Sequence, residues 1–333
     1  MPEHGDRAKH AAVQDLVVTA VTNSFITHLY QCSMHLSRQQ IILIILVTLT
    51  WGVNWPVMKL GVTGYPPLTF RALCLWLGVP VLGLALLVMK VPFFVQRRDW
   101  RELFWLAVTN MFVWHALIIV AVSLLSSGRA AILGYTMPVF SAVLGVFLYG
   151  TRLKPLQWLG VTAAAIGVGL LLFNELTHLA GKPVGVVLAL TAALVWAVGT
   201  QRLRMTKIVA STLTISFWMT LMAAVVLSFL SLAFELDQWR MPPAQTLWAI
   251  AYNGVLIFGF THTAWFTLAR SLPPIASTLS TMMIPVLGVF TGALWLGEVL
   301  HWQDWAAVVL MAAAIVSVLV AGSGRKTTLP ETP

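Results

Sequence analysis

Ten apolar runs of about 20 residues, cut apart by short charged or proline- and glycine-bearing segments, leave this chain few ways to fold. A helix rises 1.5 Å per residue, so about 20 residues cross the roughly 30 Å hydrocarbon core of a bilayer. The strands of a membrane barrel alternate apolar and polar positions, whereas these runs are apolar on every side. A soluble core is excluded by composition. Of 333 residues, 59% are hydrophobic and only 9% charged, against roughly 25% charged in soluble domains. The expected fold is an all-α polytopic membrane protein with spans near 40–60, 68–89, 102–124, 128–149, 155–174, 183–203, 211–234, 246–269, 275–296 and 302–321.

Residues 1–36 carry no 20-residue apolar run and lack the basic start and cleavage pattern of a signal peptide. They read as a polar, disordered or surface-lying tail, and Met34, just before Arg38, would serve as a natural start. Residues 323–333 read as a second tail. The net charge of +9 does not indicate nucleic acid, because the basic residues sit at span ends and not on one polar surface. With both termini on one side, fifteen Lys and Arg fall there, and five (Lys59, Arg71, Arg129, Lys182 and Arg240) fall opposite. This bias puts both termini in the cytoplasm. Cys32 and Cys74 show no metal or disulfide spacing.

A shift of 147 positions brings Pro138 onto Pro285, Val139 onto Val286, Gly145 onto Gly292, Gly150 onto Gly297, Leu153 onto Leu300 and Trp158 onto Trp305. The chain therefore reads as a duplication, with one five-helix repeat over 37–177 and another over 178–322. An odd number of spans inserts the second copy upside down. Inverted repeats are the architecture of secondary transporters, which place their substrate site near the midplane between the halves.

Several residues could serve that site. His115 and His262 are also 147 apart and fall inside apolar spans, where an ionisable group must face protein or a water-filled cavity. A proton carrier and a simple interhelical bridge both fit. Trp51 with Asn54, and Asn110 with Trp114, share helix faces by spacing. With Tyr135, Trp196, Gln201 and Trp265 they form a candidate set for lining an amphipathic cavity, although packing alone would also explain each one. Ser141 and Gly145, matched by Gly288 and Gly292, are small residues four apart that suit close helix packing or a dimer or repeat interface. Pro138 and Pro285 lie inside spans four and nine, where removal of a backbone bond makes either a hinge or a plain kink. Arg71, a few residues beyond Pro66 and Pro67, is expected to snorkel outward, or else to attract an anionic group at an outer vestibule. Walker, HExxH and GxSxG motifs are absent, and Glu175 and Glu298 are the acidic residues read at span ends.

The stretches WGVNWPVMKLG and YPPLTFRALCLW, then TMPVFSAVLGVFLYGTRLKPLQWLG and IPVLGVFTGALWLGEVLHWQDW, together resemble the EamA family of the drug/metabolite transporter superfamily over about 40–321. The resemblance implies two five-helix repeats and an inner-membrane carrier of small metabolites. It is most often an exporter of amino acids, related metabolites or toxic compounds. No cofactor or metal is expected. The family commonly has Glu after the repeat-end glycine in both copies, whereas this chain has Gly297-Glu298 but Gly150-Thr151. A glutamate that orients the hairpin by accepting backbone hydrogen bonds is the favoured reading. The expected mechanism is alternating access around a cavity lined from spans one, three, four, six, eight and nine, with proton coupling through His115 or His262 as a subsidiary expectation. Its partners are a small-molecule substrate and membrane lipids. A membrane-embedded enzyme acting on a lipid or isoprenoid would need Glu298, His301 and Asp304 as its cluster, while a non-transporting scaffold fits poorly with polar groups at matched depths.

Overall fold

The computed structural model describes residues 37–149, 155–177, 183–271 and 283–322, and every regular element among them is helical. The described residues from Ile44 onward form one compact unit that holds the site and its surroundings. In the preceding unit, Ser37 and Gln40 cap a helix start reciprocally, with bonds of 2.9 and 3.2 Å.

Span one is Arg38–Val62, span two Pro67–Val88, span five Pro155–Thr177, span six Pro183–Met205, span seven Thr212–Glu235 and span ten Trp302–Gly322. Pro67, Pro155 and Pro183 each open a span, where the missing N–H has no helical acceptor to lose. Span three runs from Trp100–Ala107 through a π-helical turn, Val108–Phe112, into Val113–Leu124. Span eight repeats the plan, with Ala244–Ala251, a π-helical segment Tyr252–Thr261, and His262–Ser271. The described part of span nine is Met283–Leu296. Among the described residues, spans one, two, three, six and seven are each long and apolar enough to cross a bilayer by themselves.

Span four is two helices, Ser127–Gly134 and Met137–Tyr149, parted at Tyr135 and Thr136. The expectation that Pro138 bends a continuous helix is therefore corrected. The break precedes it, and Pro138 stands in the first turn of the second helix, where its lack of an N–H costs nothing. Pro285 likewise stands in the first turn of the described part of span nine. The surroundings of Pro138 and Gly145, and the whole of 150–154, lie outside the described residues.

Spans two and seven, three and six, four and nine, and five and ten pack against one another. Three of these pairs join spans at equivalent places in the two repeats, as an inverted duplication requires. Leu84, Phe229, Leu294 and Val309 are among the large apolar side chains turned outward, where hydrocarbon is their natural solvent. The Gly288 and Gly292 face meets span four of the same chain. A Cβ on Gly288 would lie 2.9 Å from Ala131 Cβ, and one on Gly292 would strike Ser127 Oγ. The small residues thus serve contact between the repeats.

Candidate functional site

The histidines separated by 147 residues meet. His115 Nε2 and His262 Nε2 lie 3.1 Å apart, both side chains fully enclosed. A π-helical turn precedes each, so each imidazole is delivered by a stretch that departs from the ordinary ladder at the same place in its repeat, a distortion common at functional sites. His262 Nδ1 lies 2.9 Å from the Ile257 carbonyl. A carbonyl only accepts, so Nδ1 carries the proton there, and Nε2 of a neutral His262 must then accept from His115 Nε2–H. That leaves His115 Nδ1 as an acceptor, and it has no hydrogen-bond partner among the described residues.

Around this pair lies a small, partly enclosed cavity of about 40 Å³. One face of span one, Trp51, Asn54, Trp55 and Met58, forms one wall. Its spacing of three, four and seven is the period of a single helix stripe. Trp114, His115 and Ile118 come from span three, Tyr135 and Met137 from the break in span four, and Arg71 from span two. The second repeat adds Trp196, Ile257 and His262. The wall is strongly aromatic: the rings of Trp114 and Trp196 are 5.0 Å apart, Trp51 and His262 5.5 Å, and Trp55 and Tyr135 6.3 Å. Apolar walls with a few polar groups suit an amphipathic solute.

Of the residues singled out in the sequence, Trp51, Asn54, Trp114, His115, Tyr135, Trp196 and His262 converge on this cavity. Asn110 does not. Its Nδ2 donates to the Leu106 carbonyl at 3.0 Å, and its amide fills the space that a Cβ on Gly199 would take. Asn110 and Trp114 both face span six, at Gly199 and Trp196, but Asn110 stands off the cavity lining. Gln201 instead ties span six to span four by donating to Ser141 Oγ at 2.6 Å. Trp265 stands behind Trp51, 5.6 Å ring to ring, and not on the cavity wall. No described residue of span nine lines the cavity, while span two does.

Arg71 is the largest correction. It does not snorkel: its side chain is 0% exposed and faces the cavity. Nη1 donates to Asn253 Oδ1 at 3.1 Å and Nη2 to Met58 Sδ at 2.7 Å, while the rings of Phe258 and Phe70 lie 5.5 and 5.8 Å from Cζ. Nε has no hydrogen-bond partner among the described residues.

The sparsely basic end of the bundle shows a different use of charge. Gly297, at φ +64°, ends span nine in the left-handed region that suits glycine, and the chain turns back. Glu298 then accepts from Ser127 N–H at 2.6 Å, Ser127 Oγ at 2.9 Å and Gly128 N–H at 3.2 Å. Gly292 leaves the room this carboxylate occupies, since a Cβ there would lie 2.6 Å from Glu298 Oε2. Glu298 thus accepts backbone bonds, though from span four of the other repeat and not from its own hairpin. Asp304 binds Arg129 Nε at 2.8 Å and the His301 N–H at 2.8 Å. Glu235, a span-end acid passed over in the sequence, does for span two what Glu298 does for span four: it accepts from Leu68 N–H at 2.9 Å, and from Thr69 N–H and Thr69 Oγ1 at 2.7 Å each. Both carboxylates cap helix N-termini across the repeat boundary, where the helix dipole favours negative charge.

The model of the EamA-like transporter family matches residues 38–173 and again 183–320, one copy for each repeat. The chain belongs to the EamA-like transporter family. Among similar proteins are the uncharacterized transporter YoaV of Bacillus subtilis (strain 168), 27% identical over 82% of this chain and 92% of its own length, and the uncharacterized inner membrane transporter YedA of Escherichia coli (strain K12), 26% identical over 80% and 86%. A probable amino-acid metabolite efflux pump of E. coli (strain K12) is 25% identical over 85% of this chain and 96% of its own. A solved crystal structure with 20% identity and a TM-score of 0.65, covering 85% of this chain and 99% of that one, has the same fold. This EamA-like chain is a multi-pass membrane transporter and not an enzyme.

Proposed function

We propose that this transporter exports small amphipathic metabolites across a bacterial inner membrane, with both termini in the cytoplasm, by alternating access of its two five-helix halves around the histidine cavity. The observation that carries the reading is the shared wall: residues of both repeats line one aromatic cavity, and the matched His115 and His262 touch at its edge. Rocking one half against the other would open such a cavity to each side in turn. Glu298, Asp304 and Glu235 fasten the halves together at the sparsely basic end, so that end is the outer gate in its closed form. The efflux-pump relative of E. coli supports the outward direction.

The test is export itself. Cells overproducing the protein should accumulate at least one metabolite in the medium that control cells retain, and inverted membrane vesicles should take up the same compound. Trp51→Ala and Trp196→Ala, which strip the cavity wall, should reduce that uptake without removing the protein from the membrane. An unchanged medium across a broad metabolite panel would overturn export.

A further inference from the structure

A guanidinium buried without an acid points to what the cavity receives. Arg71 is fully enclosed, yet its hydrogen-bond partners are an amide oxygen and a thioether sulfur, both uncharged. No carboxylate pairs with it among the described residues, and the nearest acids in function, Glu235, Glu298 and Asp304, are occupied by N–H groups, hydroxyls and Arg129. An isolated buried charge is costly unless something of opposite sign answers it. The planar fork of arginine matches a carboxylate, and it is the residue suited to buried pairing of that kind. Nε is still unpartnered, as are the acceptors Asn54 Oδ1 and His115 Nδ1 on the same cavity.

We propose that the transported substrate is an organic monoanion: one carboxylate neutralised by Arg71, an aromatic or aliphatic body against the tryptophans, and a hydroxyl or N–H donor for His115 Nδ1 or Asn54 Oδ1. Among the described residues the lining contains no Asp or Glu to answer an ammonium group, so a monoanion is favoured over a zwitterion and a zwitterion over a cation. This inference rests on the cavity being the transport site.

The test uses the purified full chain in detergent and four compounds that share a phenyl ring: 3-phenyllactate, phenylalanine, phenylalaninamide and phenethylamine. The ligand-induced rise in unfolding temperature is read for each. Phenyllactate should stabilise most, phenylalanine less, and the two compounds without a carboxylate not at all. Arg71→Gln should weaken phenyllactate binding about 10- to 100-fold, as loss of one charge-assisted pair does, and Arg71→Lys should keep the preference for anions at lower affinity. The wild-type series decides the matter even if either variant fails to fold. Equal stabilisation by phenethylamine, tighter binding of phenylalanine than of phenyllactate, or no response to any carboxylate overturns the proposal. Cavity-dependent export of a cation in the vesicle assay would also overturn it while leaving the export reading intact, whereas the absence of any export defeats that reading first.

Discussion

At the sparsely basic end of the bundle the protein answers its own charges, while in the cavity it leaves one unanswered. Glu298 and Glu235 each hold three donors within 3.2 Å, all supplied by the opposite repeat. Arg71 is more deeply enclosed than either, yet it has only neutral partners and an idle Nε. The difference separates two uses of polarity in a membrane protein. A charge satisfied within the chain fixes the position of a helix, and one satisfied only in part is reserved for something that comes and goes.

Removing these carboxylate caps should give the largest effect on stability. Glu298→Ala leaves two backbone N–H groups and a hydroxyl without their anion, and should lower unfolding free energy in mixed detergent by about 2–3 kcal/mol, the range for hydrogen bonds to charged groups. Glu235→Ala should cost a similar amount. Neither should alter which charge type the cavity binds; if either did, the division between the two regions would fail. His115→Leu should come next, at about 2 kcal/mol, because it leaves His262 Nε2 buried without a donor. His115→Gln, whose amide can donate, should recover part of that loss in the same measurement; no recovery would speak against a hydrogen bond at this place. Thr69→Val keeps the N–H to Glu235 but loses the hydroxyl, and should cost about 1 kcal/mol. Thr50→Val should be the mildest, about 0.6 kcal/mol, for the 2.9 Å contact between Thr50 and Thr261 that joins spans one and eight.

The spans were legible because hydrocarbon thickness sets their length, and the described ends fall within a few residues of the apolar runs. The meeting of His115 and His262 was half legible: their spacing of 147 showed equivalence, but equivalence need not mean contact. Arg71 was misread because distance from the Pro66–Pro67 turn measures depth along a helix and says nothing of what covers its side. Here Asn253 and Phe258, some 180 residues away, provide the cover. Trp55 and Met58 continue the stripe begun by Trp51 and Asn54, so helical period alone would have found them. The π turns left no such mark in the sequence. Glu235 escaped notice because its partners are about 167 positions distant in the chain.

The contact between His115 and His262 also sets a limit on the likeness of the two halves. Two identical imidazoles on either side of a pseudo-twofold axis cannot both give, because the space between their nitrogens holds a single hydrogen. The Ile257 carbonyl, through the far side of His262, decides which ring keeps it. Duplication copied the helices, the turns and the histidines, but at its centre one atom tells the copies apart.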